Sequence, residues 1–254
     1  MDLSIKDKKI GLCLSGGGAR GFAHLGVLAA FDEFEIPIAK LSGSSAGAFA
    51  VALYAEGHKP YEILEVIQRR KFWKYASFRP NKFGLMNLNK TARILKELIP
   101  HNSFEGLKIP TAICATNISR GVPEYFEEGE LINPIIASAT VPVLFKPVVI
   151  KGSRYLDGGL SNILPIEPIL SCDLKIAVNV TPFHPRLPVK SIKDIILKSV
   201  YISVDHQSRE RYNMADIVIE PKGIIHFDGF KMKHAEKLYQ IGYESTKEVL
   251  QGII

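Results

Sequence analysis

Three short stretches hold the residue types that could do chemistry. The first is Gly43-Ser44-Ser45-Ala46-Gly47, a G-x-S-x-G pattern with Ser45 at its centre. An apolar run over 36–41 precedes it, and a run of small apolar residues over 46–55 follows. Strand, tight turn and helix in that order lift the central serine clear of the strand on a strained backbone. Gly43 and Gly47 suit the close approach of that strand and helix, where bulk would intrude. The helix start adds free N–H groups and a positive dipole end beside Ser45. Ser45 is therefore a candidate nucleophile. A hydroxyl attacks only when a base takes its proton, and the reacting carbonyl needs donors where its oxygen turns negative. The second stretch, Gly16-Gly17-Gly18-Ala19-Arg20-Gly21, can supply those donors through the N–H groups of Gly17 and Gly18. Arg20 could orient that loop or meet an anion. The third stretch, Asp157-Gly158-Gly159, supplies the candidate base at a strand end, with two glycines that let the backbone come close.

The elements that must position these groups are legible in order. Residues 9–14 predict a buried strand, broken by the glycine loop. Apolar positions Phe22, Leu25, Val27, Leu28 and Phe31 predict a helix over 22–33. With the strand before Ser45 this makes one βαβ unit, so its two strands are expected to be parallel and adjacent. The glycine loop and the serine turn then share one end of the sheet, where open α/β sheets place their sites. His24 lies on the first helix and reads as a packing residue. Helices are predicted over 60–71, 88–99, 131–139, 192–211 and 233–250. Further strands are predicted over 111–116, 123–127, 174–180 and 217–220, with a hairpin over 148–156 around Lys151-Gly152-Ser153. Residues 72–86 are aromatic and basic without a clear period and read as a loop or lid over the site.

Composition narrows the class. The 254 residues are 46% hydrophobic, enough for one sizeable core, and no domain boundary or repeat interrupts them. One domain over 1–254 is the expectation. No run reaches the roughly 18 apolar residues of a membrane span, and the charged N-terminus does not read as a secretory signal. Cys13, Cys114 and Cys172 are far apart and form neither a disulfide framework nor a zinc pattern. They read as reduced thiols of a cytoplasmic protein. The net charge of +6 suits an anionic membrane surface or nucleic acid, and equally simple solubility.

Taken together, the blocks resemble the patatin-like phospholipases, a family of lipid acyl hydrolases. Residues 16–21 resemble the family's oxyanion loop, 43–47 its nucleophile elbow, Ala137-Ser138-Ala139-Thr140-Val141-Pro142 its A-S-x-x-x-P block, and 157–159 the segment of its dyad aspartate. Asn162 and Pro165 also fit. Ser15 departs, standing where many members carry Asp. The resemblance implies an α/β fold of three α/β/α layers around a central, mostly parallel sheet. It implies a Ser45–Asp157 dyad, an oxyanion hole from the glycine loop, and support from Ser44, Ala46, Gly158 and Gly159. It implies a lipid or small ester substrate and no metal, cofactor or nucleic acid. Basic and aromatic residues over 59–96 suggest peripheral contact with an anionic membrane surface.

Other readings compete. Gly16-x-Gly18-x-x-Gly21 also fits the dinucleotide fingerprint, with Asp32, Glu33 or Glu35 as its acid. Each acid lies closer than the expected distance of about 20 residues, and this reading leaves Ser45 and Asp157 without roles. An α/β-hydrolase triad with His206, His226 or His234 would need its serine later than the second strand. A non-catalytic lipid-binding member of the fold keeps every motif residue and is separated only by assay.

Overall fold

The computed structural model describes residues 5–70, 77–81, 84–182, 189, 191–229 and 231–254. The first strand, β1 (Ile10–Leu14), is buried on both faces. The glycine loop follows as a short 3-10 turn, Gly18–Gly21, and leads into α1 (Phe22–Glu33). Strand β2 (Ile38–Ser44) runs parallel to β1 and ends at the elbow, where α2 (Ala46–Glu56) begins. Here the strand extends three residues beyond its apolar stretch. Ser42, Gly43 and Ser44 read locally as turn residues, yet pairing with β1 and the later strand at 111–117 holds them extended.

Helix α3 (Pro60–Arg70) precedes the segment expected to be a loop or lid. Residues 71–76 and 82–83 of that segment lie outside the described residues. Its described backbone differs from the expectation. Ser77–Asn81 (β3) and Gly84–Asn87 (β4) pair as an antiparallel ribbon. The sequence there lacks period-2 alternation and carries Pro80, a residue confined in sheets to edges and strand starts. A two-stranded ribbon has two edges and can form without such alternation.

The rest completes one sheet. Helix α4 (Asn89–Leu98) is followed by β5 (Thr111–Asn117), β6 (Val122–Phe126), α5 (Ile132–Ser138), β7 (Val148–Ile150), β8 (Ser153–Asp157) and β9 (Leu174–Val178). Helix α6 (Ile192–Tyr212), β10 (Ile217–Ile219) and α7 (Ala235–Gln251) close the chain. The strand order is β10-β9-β1-β2-β5-β8-β7, with β6 also on β5. The pairs from β10 to β5 are parallel; β5 pairs antiparallel with β6 and β8, and β8 with β7. This is the three-layer, mostly parallel α/β arrangement. Alternation along the central strands feeds two cores. Leu12, Leu14, Ile176 and Val178 face the helices that include α1, α2 and α7, whereas Cys13 and Ala177 face Ile163, Leu164, Ile169 and Val204 of α6. Among the described residues no helix is long and apolar enough to cross a membrane.

Strand β5 organises the site end of the sheet. Its Ile113 and Cys114 pair with both β2 and β6, and its Ala115, Thr116 and Asn117 pair with both β6 and β8. Strand β6 therefore takes one edge of β5. The ends of β2 and β8 meet head to head along the other. Ser44 lies opposite Cys114, and Asp157 lies opposite Ala115.

Candidate active site

That register brings Ser45 and Asp157 together across 112 positions of sequence. Ser45 Oγ donates to Asp157 Oδ2 at 2.8 Å, in a buried setting. Ser45 sits at φ 48°, ψ −115°, a backbone that costs on the order of 1–3 kcal/mol outside glycine. The close packing around it explains the elbow's small residues. A Cβ on Gly43 would lie 2.6 Å from the Gly47 carbonyl carbon, and one on Gly47 would lie 2.1 Å from the Leu14 carbonyl oxygen. The Ser45 N–H donates to Ser138 Oγ at 2.8 Å, and Ser138 Oγ donates to the Cys114 carbonyl at 2.6 Å.

Asp157 is fixed at its backbone as well as its carboxylate. Its N–H donates to the Thr140 carbonyl, and its own carbonyl accepts from Thr116 Oγ1 at 2.8 Å. Oδ1 accepts the Gly159 N–H at 2.8 Å. Burial raises the carboxyl to about 6, against the opposing pull of the Gly159 and Ser45 hydrogen bonds. It is thus a carboxylate at neutral pH with more proton affinity than an exposed aspartate. Gly158 packs where a Cβ would lie 2.4 Å from both the Cys114 carbonyl oxygen and Ser44 Oγ. Ser44 Oγ itself is buried and has no partner among the described residues.

The A-S-x-x-x-P block therefore touches both halves of the pair, through Ser138 on the elbow and Thr140 on Asp157. Ser138 had no assigned role in the sequence. Its signal was a small polar residue inside an apolar helix, which alone does not say what it reaches.

The glycine loop lies against this pair. A Cβ on Gly16 would sit 3.2 Å from Ser45 Cβ. The loop's N–H groups divide sharply. Gly16 donates to the Ile163 carbonyl, Ala19 to Gly229 and Arg20 to Gly17. Among the described residues, the N–H groups of Gly17 and Gly18 meet no protein acceptor. Gly18 holds φ +54°, and a Cβ there would lie 2.4 Å from the Gly229 carbonyl oxygen. Arg20 is buried. Its Nε donates to the Phe227 carbonyl at 2.8 Å, with Nη2 3.5 Å from that of Ile225. These bonds tie the loop to the segment before α7. A small cavity of about 30 Å³ adjoins the loop and elbow, lined by Gly18, Ala46, Phe22, Leu25, Phe49 and Ile67.

The competing residues fall elsewhere. Asp32 and Glu33 end α1, roughly 16–18 Å along the helix from the glycine loop, and accept from the hydroxyls of Tyr54 and Tyr243. They cannot serve a ribose at the loop. His206 is exposed beside Glu210 on α6, and His234 stacks edge-on against Phe227. Among the described residues, no histidine nitrogen is a hydrogen-bond partner of Ser45 Oγ or the Asp157 carboxylate. No group of three or more His, Cys, Asp or Glu that could hold a metal occurs among the described residues.

Comparison with known proteins agrees with this architecture. Residues 12–170 match the family model for patatin-like phospholipase. An uncharacterized NTE family protein of Mycobacterium tuberculosis is 30% identical over 175 residues, covering 67% of this chain and 49% of that protein. Lysophospholipase nte1 of Aspergillus fumigatus is 25% identical over 287 residues, covering 97% of this chain and 18% of that protein. The chain thus spans about half the length of the first relative and under a fifth of the second. Among solved structures, VipD from Legionella pneumophila superposes with a TM-score of 0.58 at 15% identity, covering 97% of this chain and 67% of that one; at that identity the likeness is one of fold. With its matched span running from β1 through the elbow and past Asp157, the chain belongs to the patatin-like phospholipase family.

Proposed function

We propose that this chain is a serine lipid acyl hydrolase that cleaves fatty-acyl esters through a Ser45–Asp157 dyad. The observation that carries the reading is the 2.8 Å hydrogen bond from a strained, buried serine to a carboxylate of raised proton affinity. Ser45 Oγ attacks the ester carbonyl carbon while Asp157 takes its proton. The N–H groups of Gly17 and Gly18 receive the oxyanion. Collapse breaks the ester bond, and Asp157 protonates the leaving alcohol. Water, deprotonated by Asp157, then attacks the acyl carbonyl; the bond to Ser45 Oγ breaks, the fatty acid leaves, and Asp157 returns the proton to Ser45 Oγ. Family membership supports the lipid substrate, and the apolar cavity beside the loop offers room for the first carbons of an acyl chain.

The reading extends to setting. The chain acts as one patatin-like domain, since β9 and β10 lie in the same sheet as the motif-bearing strands. We place it in the cytoplasm, at the membrane surface, with three buried free thiols in support. Residues 59–96 make the lipid contact. Of their cations, Arg69 pairs with Glu65 and Arg70 with Glu97, while Lys59, Arg93 and Lys96 are exposed. Of the aromatic residues in that stretch, Phe72, Trp73, Tyr75 and Phe83 lie outside the described residues. A lipid-hydrolysis panel read by mass spectrometry tests the whole proposal. Wild type should release fatty acid from at least one phospholipid or lysolipid class, and Ser45→Ala should not. No hydrolysis across the panel would favour a non-catalytic lipid-binding protein of the same fold.

A further inference from the structure

The start of the glycine loop is held by buried hydrogen bonds that the reaction above leaves without a role. Ser15 is fully buried, and its Oγ accepts the Val180 N–H at 3.0 Å. That leaves the hydroxyl proton for the Gly16 carbonyl, 2.9 Å away. The Ser15 carbonyl meets Nε2 of His24 at 2.8 Å. A carbonyl can only accept, so Nε2 carries the ring proton. Burial lowers His24 to about 4 and keeps the ring neutral. Its Nδ1 is then a bare lone pair, and among the described residues it has no partner. A buried unpaired acceptor is costly. An apolar side chain would fill the space without that cost, so packing alone does not account for a histidine here.

The consequence follows from peptide geometry. A trans peptide is planar, and its carbonyl points opposite to the N–H that follows. Holding the Ser15 carbonyl therefore aims the Gly16 N–H, which lands on the Ile163 carbonyl at 2.9 Å. Holding the Gly16 carbonyl aims the Gly17 N–H, which has no protein acceptor among the described residues. Two successive peptide planes are thus clamped, and the second ends in a free donor.

We propose that Ser15 and His24 are positioning residues for the oxyanion hole: the Ser15 hydroxyl aims the Gly17 N–H, and His24 holds Ser15 in register. This inference rests on the assignment of Gly17 as an oxyanion donor. It makes Ser15 the residue whose side chain reaches the reaction through a backbone amide, without touching substrate.

The test measures kcat and KM on p-nitrophenyl butyrate. It adds the affinity for an alkyl trifluoromethyl ketone, which forms a tetrahedral oxyanion adduct with a reactive serine, and a melting temperature for each protein. Ser15→Ala should lower kcat and ketone affinity by the same factor, roughly tenfold to a hundredfold, with KM within about twofold of wild type. Ser15→Cys, a weaker donor, should fall between. His24→Ala should lower kcat by roughly tenfold, and His24→Gln, whose amide nitrogen can replace Nε2, should restore most of it. A folded Ser15→Ala with wild-type kcat overturns the proposal. So does a kcat loss with unchanged ketone affinity, or a His24→Gln no better than His24→Ala. If Ser15→Ala does not fold, Ser15→Cys and the two His24 variants decide the matter by the same readouts. A wild type that neither turns over the ester nor binds the ketone refutes the assignment of Ser45, and this inference with it. A failure confined to the variants refutes this inference alone.

Discussion

Replacing Asp157 with Asn should abolish turnover and stabilise the fold. Burial raises the carboxyl from 3.8 to about 6. That rise corresponds to about 3 kcal/mol, at about 1.4 kcal/mol per pH unit. The sign follows from which state holds the proton more tightly. Well below pH 4 the carboxyl is neutral in both folded and unfolded chains, and its burial carries no charge penalty. As pH rises from about 4 to about 6, the unfolded chain ionises first and native stability falls. Above about 6 the full penalty stands. Asparagine is close in shape and cannot ionise. Its oxygen can keep the Gly159 N–H, and its amide can face Ser45 Oγ. Asp157→Asn should therefore match wild-type stability near pH 4 and exceed it by up to about 3 kcal/mol at pH 7.5. For a chain of this size that is roughly 6–12 °C in melting temperature. Urea unfolding of both proteins between pH 4 and 8 measures the difference directly, because every other group cancels between them. An Asn variant less stable than wild type at pH 7.5, or a gap that does not change with pH, would refute the account of Asp157 as a base whose charge is penalised by burial. Loss of the base should also lower the rate by a hundredfold or more; a folded variant with full activity would remove Asp157 from the mechanism.

Other consequences are open to direct measurement. Because Asp157 must be ionised to accept a proton, kcat/KM on a soluble ester should fall about tenfold per pH unit below about 6; a flat profile down to pH 4.5 counts against it. Gly18→Val should cost roughly a hundredfold in kcat, since Gly18 holds φ +54° and the added Cβ would meet the Gly229 carbonyl; full turnover would exclude it as a donor. The protein should co-sediment with phosphatidylglycerol vesicles more than with phosphatidylcholine vesicles, and less as salt rises; binding that ignores both would exclude the basic 59–96 segment as the lipid contact.

Much of this protein was legible without coordinates, because its signals are local. A strand, a glycine run and a helix are neighbours in sequence, so the loop at 16–21 and the elbow at 43–47 could be placed at one end of adjacent parallel strands. Periodicity located most of the helices and strands, since it reports which face each residue turns to the core. It does not report register between distant strands. That is why β2 reads three residues short; the β3–β4 ribbon reads as a loop for a local reason, since 77–87 lacks period-2 alternation and carries Pro80. The missing register is also why the helical block at 137–142 could be quoted but not given contacts. The same limit hid the direction of Arg20, whose partners lie more than 200 residues away.

The sequence alone determined the inventory: a serine on a turn flanked by glycines, a loop of amides, and an aspartate before two glycines. Tertiary structure decided their chemistry. Strand β5 accepts the ends of β2 and β8 on one edge, setting Ser45 2.8 Å from Asp157. Packing then buries that carboxylate and raises its proton affinity, while it spends the amides of Gly16 and Ala19 on carbonyls from other segments and, among the described residues, leaves those of Gly17 and Gly18 without an acceptor. Those outcomes depend on long-range register and burial, which exist only once the chain has folded.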